Sequence, residues 1–325
     1  MSAPEERPHP LTDRFVSVVV PCYNEEANIE AAHARVTAVM TAAGAPYEIV
    51  FVNNGSSDRS AEILATLAAA DPAVTVVTLS RNFGAQTSYS AGIDHAAGDC
   101  AVLLDCDLQD PPELIPQMIE KWLEGYQVVY GQRTKRKASF FVRNASKAFY
   151  RMFARLSYVE MPVDAGDFSL IDRRVIDVLS AMPERNRFVR GLRAWAGFRQ
   201  VGLPYTRDLR AAGKSSNSIG DLFRWASTGV VSFSYRPLEW ISALAIFVVG
   251  LAGIAAVVYT VLYFVFPNAP RGTQTLLLVV LFLGAIQLFC LSIMGAYLAK
   301  IFEEIKARPK YIVAAVENDH RASAS

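Results

Sequence analysis

Two long runs without a charged residue dominate the C-terminal third of the sequence. Residues 240–270 and 273–299 contain no Asp, Glu, Lys or Arg. A helix needs about 20 apolar residues to cross the hydrocarbon core of a bilayer, so each run is long enough. The sequence therefore predicts a hairpin of two transmembrane helices, at about 240–266 and 275–299, within a membrane domain of residues 239–300. Two spans are too few to enclose a channel or a transport path.

Basic residues flank both runs. Those before the first run are Arg207, Arg210, Lys214, Arg224 and Arg236, and those after the second are Lys300, Lys306, Arg308 and Lys310. Because cytoplasmic flanks of spans carry excess Lys and Arg, we expect both chain termini in the cytoplasm. Residues 216–238 are predicted to be an amphipathic segment in the membrane interface, and residues 301–325 a cytoplasmic tail.

Residues 15–215 alternate short β-branched runs with polar loops and helical patterns. The runs predict strands near 15–20, 47–52, 74–79, 101–104 and 128–131. Such alternation is typical of an α/β domain with a doubly wound, mostly parallel sheet, whose site lies across the carboxyl ends of the strands. Residues 1–14 lack the apolar core of a signal peptide and are predicted to be a disordered lead.

The fourth predicted strand leads into two carboxylates, Asp105 and Asp107. Residues two apart on an extended chain project to the same side, so these side chains lie next to each other. Their mutual repulsion favours a bound cation. Oxygen ligands of this kind suit Mg²⁺ or Mn²⁺, completed by substrate phosphates. Taken alone, the pair also fits an acidic loop or a helix cap.

Composition and motif content exclude several classes of protein. The net charge is +1, so no basic signature points to nucleic acid. The four cysteines form no Cys-x-x-Cys pair and have no His at zinc spacing, which argues against a disulfide framework or structural zinc. No Gly-x-Gly-x-x-Gly or P-loop lysine motif is present, so standard dinucleotide and NTPase sites are also excluded.

Short motifs follow one another through the α/β region. They are Val-Val-Val-Pro-Cys-Tyr-Asn-Glu-Glu at 18–26, Asn-Gly-Ser-Ser-Asp at 54–58, Arg-Asn-Phe-Gly at 81–84 and Asp-Cys-Asp-Leu-Gln-Asp-Pro-Pro-Glu at 105–113. In this order they resemble family 2 glycosyltransferases, and more narrowly the polyprenyl-phosphate enzymes of the dolichol-phosphate mannose synthase and bactoprenol glucosyltransferase types. The resemblance extends from about residue 16 to about residue 310. It implies a GT-A-like nucleotide-sugar transferase fold.

The resemblance also implies roles for individual residues. The nucleotide-sugar would be bound by Pro21, Tyr23, Asn24, Glu25, Asn54, Asp105, Arg207 and Arg210. The metal ion would be held by Asp105, Asp107 and Gln109, with Asp107 as the most direct ligand and a catalytic residue. Arg133 and Arg143 would bind the phosphate of the acceptor. They lie in a basic stretch interleaved with aromatic residues. Asp110 and Glu113 are expected to cap or brace the next helix.

Asp167 is the second predicted catalytic residue. It lies in Gly-Asp-Phe-Ser-Leu at 166–170, which resembles the acidic motif on the acceptor side of the family's site. In relatives with sugar acceptors this acid is a general base. A lipid phosphate is already ionised at pH 7, so we expect Asp167 to position the reactants. The chain departs from the family pattern at Asn54, where Asp is usual, and at Ser216, where relatives commonly carry Lys.

Together these features predict an inverting, metal-dependent glycosyltransferase of the cell membrane. It would transfer one sugar from a nucleotide-sugar, with UDP-glucose favoured, to undecaprenyl phosphate at the cytoplasmic face. The alternative enzymes would use GDP-mannose or a UDP-N-acetylhexosamine as donor, or would transfer the sugar to another lipid or to a glycan. A catalytically inert membrane partner is the alternative of another class. The sequence does not fix the oligomeric state, although two-span membrane enzymes often gain stability by packing their spans against other copies of the chain.

Overall fold

The computed structural model describes residues 13–133, 165–185, 187–207, 235–265 and 272–323. The predictions for residues 1–12, Arg143, Arg210, Ser216 and most of the interfacial segment therefore lie outside the described residues. The described chain before residue 208, together with the residues from Arg308 onward, forms one compact unit. The described residues between 235 and 307 form a second unit.

A sheet of eight strands is the frame of the first unit in the part of the chain that is described. The strands are β1 (Val16–Cys22), β2 (Tyr47–Asn53), β3 (Val74–Leu79), β4 (Cys100–Leu103), β5 (Val128–Arg133), β6 (Ala165–Asp172), β7 (Gln200–Tyr205) and β8 (Val313–Glu317). Their order across the sheet is β7-β5-β6-β4-β1-β2-β3-β8. The first five lie where the sequence predicts strands, within one or two residues at most ends.

All strands except β6 and β8 run in the same direction. The block β4-β1-β2-β3 is parallel, and β5 is parallel to β7. β6 lies antiparallel between β4 and β5, and β8 lies antiparallel to β3. The predicted α/β class with a mostly parallel sheet is confirmed. The sequence patterns did not predict the two antiparallel strands or β7.

Helices pack on both faces of this sheet. They are α1 (Ile29–Ala43), α2 (Ser60–Ala70), α3 (Ala85–His95), α4 (Ile115–Leu123), α5 (Arg173–Ala181) and α6 (Val189–Trp195). α1 contacts α2 and α4, whereas α3 contacts α5 and α6. A parallel sheet covered on both faces needs strands that are apolar throughout, which explains the continuous valine run of β1. Val18, Val19 and Val20 in that run are fully buried.

Gly92 in α3 shows how closely one helix approaches the sheet. A Cβ atom at this position would lie 2.2 Å from Cγ1 of Val19 and 3.1 Å from Cγ2 of Val52. Only glycine leaves room for such an approach of helix to strand. This contact seats α3 on β1 and β2, with the N-terminal end of the helix in the loop that follows β3.

The C-terminal residues return to the sheet as β8. The sequence patterns predicted only a tail here. Residues next to β8 make further bonds to the first unit: the Ser80 amide donates to the Ile312 carbonyl over 2.9 Å, and the Asn318 amide group donates to the carbonyls of Ala68 and Val74 over 2.7 and 3.0 Å. β8 thereby covers the free edge of β3, which would otherwise offer unpaired backbone groups to other chains.

Two long helices make up the described part of the second unit. They are α7 (Arg236–Val265) and α8 (Thr273–Ile305), and they contact each other. The stretches Arg236–Leu262 and Val279–Ile305 are long and apolar enough to cross a membrane. Large apolar side chains such as Ile246 (75% exposed) and Leu288 (69%) face outward. An apolar surface of this extent matches a lipid environment better than water.

Candidate active site

Among the residues that the structure describes, the polar side chains that the sequence singles out lie at one edge of the sheet. This is the edge where the parallel strands β1, β2, β3, β4, β5 and β7 end. β6 runs the opposite way, and its first residues start from the same edge, where Ala165 pairs with Gln132. Asp167 is the third residue of β6. The antiparallel direction of β6 is therefore what brings Asp167 to the predicted site.

The loop after β4 alternates between buried and partly exposed residues. Asp105, Asp107 and Gln109 are partly exposed, whereas the residues between and beside them are buried: Leu104, Cys106, Leu108 and Asp110. Leu108 has a positive φ of 55°, a conformation that a bulky side chain rarely adopts. Burial of this leucine holds the turn in place. The shared partial exposure of Asp105 and Asp107 agrees with the predicted arrangement, in which both carboxylates project to the same side.

Asp105 is surrounded by hydrogen-bonding and charged groups. Its Oδ1 accepts the hydroxyl of Tyr89 over 2.5 Å, and its Oδ2 lies 3.5 Å from an Nη atom of Arg207. The pKa of Asp105 is raised from 3.8 to about 6, mainly because burial removes water from its carboxylate. The hydrogen bond from Tyr89 opposes this rise in part. The negative charges of Asp167, Asp110 and Asp107 add to it. Such a crowd of carboxylates favours a cation between them.

The residues of this loop fit a magnesium-type site in the donor atoms they offer. Asp107 accepts the Gln109 amide over 3.1 Å, and its charge raises the pKa of Asp105. Within the described ranges, no three His, Cys, Asp or Glu side chains form a metal-binding group by themselves. Mg²⁺ commonly takes one or two carboxylates plus substrate phosphates. The predicted ligands Asp105, Asp107 and Gln109 match that pattern and stay a prediction.

Asp167 is held by an arginine that the sequence did not single out. Arg190, on α6, donates from Nε to Oδ1 over 3.1 Å and from Nη2 to Oδ2 over 2.9 Å. Burial alone would raise the pKa of Asp167, but the Arg190 guanidinium, aided by Arg193, outweighs it and holds that pKa below its ordinary value. A carboxylate fixed in this way is a weak base. The expected role of Asp167 in positioning the reactants stays a prediction.

Asp110 does not cap the next helix, and the expectation that it would do so is wrong. The short 3₁₀ turn at Pro112–Leu114 has Pro111 at its N-cap, with no side-chain cap. Asp110 instead accepts the Tyr205 hydroxyl and pairs with Arg133 and Arg207. The same expectation is wrong for Glu113, which pairs with Arg35 of α1, with 2.7 Å between Oε2 and Nη2.

The loops after β1 and β2 interlock. Asn24 has a positive φ of 55°, and its side-chain oxygen accepts the Ser57 amide over 2.8 Å. The Glu25 amide donates to the Ser60 hydroxyl over 3.0 Å, while Oε2 of Glu25 accepts from Asn28. Pro21 lies within β1, and Tyr23 is 45% exposed at the edge. Tyr23 therefore offers a large free surface to a nucleotide, and Asn24 is exposed as well.

Asn54 joins the second loop to the third. It is buried, its side-chain oxygen accepts the Phe83 amide over 2.9 Å, and its Nδ2 donates to Oδ1 of Asn82 over 3.0 Å. A carboxylate here would face Oδ1 of Asn82, which also accepts the Gly84 amide. The uncharged amide is therefore matched to this loop junction. A direct contact of Asn54 with a nucleotide stays a prediction.

Comparison with known proteins identifies the family. The protein-family model described as "Glycosyl transferase family 2" matches residues 17–179, half of the chain. The chain belongs to this family. Its similarity to the bactoprenol glucosyl transferase of Shigella phage SfII is 36% identity over 309 residues, which cover 95% of this chain and 99% of that protein. An uncharacterized glycosyltransferase of Bacillus subtilis (strain 168), YkcC, is 41% identical over 298 residues, 91% of this chain and 92% of that protein.

Among solved structures, the chain is similar to mannosyl-3-phosphoglycerate synthase from Rubrobacter xylanophilus. The TM-score is 0.48 at 18% identity, and the match covers 72% of this chain and 79% of that one. The resemblance to a glycosyltransferase is thus confirmed through the family model and the relatives in sequence. This protein is a glycosyltransferase, and its two apolar C-terminal helices lie beyond residues 17–179, which the family model matches.

Four residues of this glycosyltransferase site escaped sequence reasoning: Tyr89, Asp110, Arg190 and Tyr205. Tyr89 lies within a helix pattern, and Tyr205 ends a strand that the patterns did not predict. Arg190 lies within Arg-Phe-Val-Arg-Gly-Leu at 187–192, but a basic residue on a helix gives no sign of its partner. For Asp110 a signal did exist, since it continues the buried positions of the alternating loop.

Proposed function

We propose that this glycosyltransferase transfers a single sugar from a nucleotide-sugar to a polyprenyl phosphate, with inversion at the anomeric carbon. The observation that carries the proposal is the meeting of the carboxylates Asp105, Asp107 and Asp167 with arginines at one sheet edge, in a chain with two membrane-type helices. The relatives named bactoprenol glucosyl transferase support this acceptor class and favour UDP-glucose as donor.

The donor half of the reaction assigns work to the loop after β4. A divalent cation, Mg²⁺ or Mn²⁺, held by Asp105, Asp107 and Gln109, would stabilise the charge of the departing nucleoside diphosphate. Arg207 lies beside Asp105 and would add a guanidinium fork for phosphate oxygens. The base and ribose would lie on the interlocked loops after β1 and β2, against Tyr23, Pro21, Asn24, Glu25 and Asn54.

The acceptor half needs little proton transfer. A phosphate oxygen of the lipid attacks the anomeric carbon from the side opposite the diphosphate. One carbon–oxygen bond forms as the other breaks, and the configuration inverts. Since the attacking oxygen is already anionic, Asp167 with its lowered pKa would orient the sugar and acceptor, while Arg133 would bind the lipid phosphate.

The return of β8 to the sheet supports a cytoplasmic location for both ends of the chain. Strands β1–β7 precede the two candidate spans, and β8 follows them, yet all belong to one sheet. A single folded sheet lies on one side of a membrane, so the chain must cross an even number of times. The basic residues that flank both helices favour the cytoplasmic side. The site would then meet the lipid phosphate at the inner leaflet.

The test is product formation by the purified full-length protein. Undecaprenyl phosphate, Mg²⁺ or Mn²⁺ and a panel of UDP- and GDP-sugars are supplied, and the lipid fraction is analysed by mass spectrometry. We expect one donor to yield a lipid-linked monosaccharide, with loss of product in chelator and in Asp107→Asn. Glu113→Gln is the matched control, because this carboxylate lies in the same loop and pairs with Arg35.

The remaining outcomes separate the alternatives. Donor hydrolysis without lipid product would retain the metal and donor assignment and exclude the acceptor. Product formation that survives both chelator and Asp107→Asn would exclude the metal-dependent mechanism. Transfer from GDP-mannose or a UDP-N-acetylhexosamine alone would replace the favoured donor while leaving the reaction class intact.

A further inference from the structure

Asp110 is a charged residue at a buried position of the site loop. It is 1% exposed and follows Leu104, Cys106 and Leu108 on the buried side. Within the part of the chain that is described, its Oδ2 is buried and has no hydrogen bond of normal geometry, although it lies 3.5 Å from Nη2 of Arg133. A buried carboxylate is costly unless other groups compensate it. Its placement calls for a role beyond packing.

The two arginines that contact Asp110 come from different strands. Arg133 ends β5, and Arg207 follows the end of β7 by two residues. Nε of Arg207 lies 3.1 Å from Oδ1 of Asp110, so each guanidinium faces a different oxygen. The Tyr205 hydroxyl also connects Asp110 with Arg133, because it donates to Asp110 and accepts from Nε of Arg133 over 3.1 Å.

The exposure of the two arginines leaves this cluster open to a ligand. Asp110 is the counter-ion that both guanidiniums share, and Arg207 also faces Asp105 over 3.5 Å. The side chains of Arg133 and Arg207 are 22% and 28% exposed, so both still reach the open side of the site. Two arginines side by side would normally repel each other and sample many rotamers. A shared buried counter-ion removes both difficulties and leaves N–H donors facing outward.

We propose that Asp110 is a positioning residue that holds Arg133 and Arg207 as a pair, ready to bind phosphate oxygens from two sides. This inference rests on the proposed function, since that function supplies a diphosphate and a lipid phosphate to the same edge. Arginine forks bind phosphate strongly when their geometry is fixed beforehand. Without Asp110, Arg207 keeps Asp105 as a partner and would turn toward the predicted metal ligands.

The sign of one binding change separates positioning from simple electrostatics. Inorganic pyrophosphate with Mg²⁺ is titrated into the full-length protein by calorimetry, with Asp110→Asn compared to wild type. A pure charge effect would tighten binding, because the variant site is more positive. Positioning predicts binding about tenfold weaker, equivalent to about 1.4 kcal/mol. Glu113→Gln, in the same loop, should bind as wild type does.

A double-variant comparison tests whether Asp110 acts through the arginines. In an Arg207→Gln background, Asp110→Asn should cost much less than tenfold, because one of its two targets is already gone. Unchanged or tighter pyrophosphate binding in Asp110→Asn would overturn the proposal. So would a tenfold weakening by Asp110→Asn in both the wild-type and the Arg207→Gln backgrounds. If Asp110→Asn does not fold, Tyr205→Phe decides: about threefold weaker binding supports positioning, and wild-type binding refutes it.

The pyrophosphate titration is independent of the sugar acceptor. If the wild-type protein forms no lipid product, the proposed function fails while the binding comparison can still support Asp110. If lipid product forms and Asp110→Asn binds pyrophosphate normally, the function stands and the positioning role fails.

Discussion

Arg190 contacts both carboxylate oxygens of Asp167, from Nε over 3.1 Å and from Nη2 over 2.9 Å. The two residues are 23 positions apart, on α6 and at the start of β6. This ion pair opposes the burial that would otherwise raise the pKa of Asp167. It explains how a carboxylate enclosed by protein stays ionised beside other acids.

Arg190→Gln should therefore change the pH dependence of the enzyme. Without the guanidinium, burial raises the pKa of Asp167, so the acid limb of the pH–rate profile moves to higher pH and turnover at pH 7 falls about tenfold or more. Because the pKa of wild-type Asp167 is lower in the folded protein than in the unfolded chain, this residue stabilises the fold at pH values above its ordinary pKa. That stabilisation is lost as the pH falls through the pKa of the folded protein. Arg199→Gln, an exposed arginine stacked on Tyr126, is the control. An unshifted acid limb in Arg190→Gln would contradict this role.

Asp105 should destabilise the metal-free protein at neutral pH. Its folded-state pKa of about 6 exceeds the ordinary 3.8, so its stabilising contribution is present at acid pH and is lost as pH rises through about 4 to 6. Asp105→Asn in chelator should raise the free energy of unfolding at pH 7.5 by about 1 kcal/mol, allowing for partial exposure, with no gain at pH 4. Thermal melts at both pH values measure it. Asp177→Asn, which alters an exposed pair with Arg173, should show neither effect. A lower melting temperature for Asp105→Asn at pH 7.5 would refute the account.

Gly55 should tolerate no side chain. Its φ is +67°, and a Cβ atom would lie 2.5 Å from the backbone carbon of Arg81. Gly55→Ala should cost about 2–4 kcal/mol, from left-handed strain together with overpacking, and should separate the loops after β2 and β3. Gly125→Ala isolates the strain, because φ is +90° there and the nearest atom outside the turn is 3.9 Å away. That control should cost about 1 kcal/mol. Equal melting temperatures for the two variants would show that the close approach to Arg81 has no effect.

Removal of β8 should weaken the catalytic unit although it lies on the far side of the sheet from Asp110. A chain that ends at Ala307 exposes the edge of β3 and loses the bond from Tyr311 to Asp94, 2.8 Å long. We expect a lower melting temperature and aggregation, measured by thermal scattering in detergent. A chain that ends at Asn318 keeps β8 and should behave close to wild type. Identical melts for the two truncations would show that β8 contributes nothing.

The sequence by itself determined the parts of this protein that depend on local patterns. Two uncharged runs longer than a bilayer span predicted α7 and α8, because the length and apolarity of a single helix decide whether it can cross. Continuous β-branched runs predicted β1 to β5, since strands buried on both faces have no polar alternation. The spacing of Asp105 and Asp107 predicted that both carboxylates project to the same side, and their shared partial exposure in the turn after β4 agrees with that.

Tertiary structure alone decided the contacts between residues far apart in the chain. β6 and β8 are antiparallel additions whose places depend on the edges and gaps that the other strands leave. Arg190 reaches Asp167 only because β6 runs against its neighbours, and Asp110 meets Arg133 and Arg207 only because β5 and β7 end at the same edge. Charge pairing of this kind depends on distance and burial, and a single sequence states neither. The residues that carry the chemistry were readable from motifs, whereas the partners that set their charge and direction became visible only once the chain was folded.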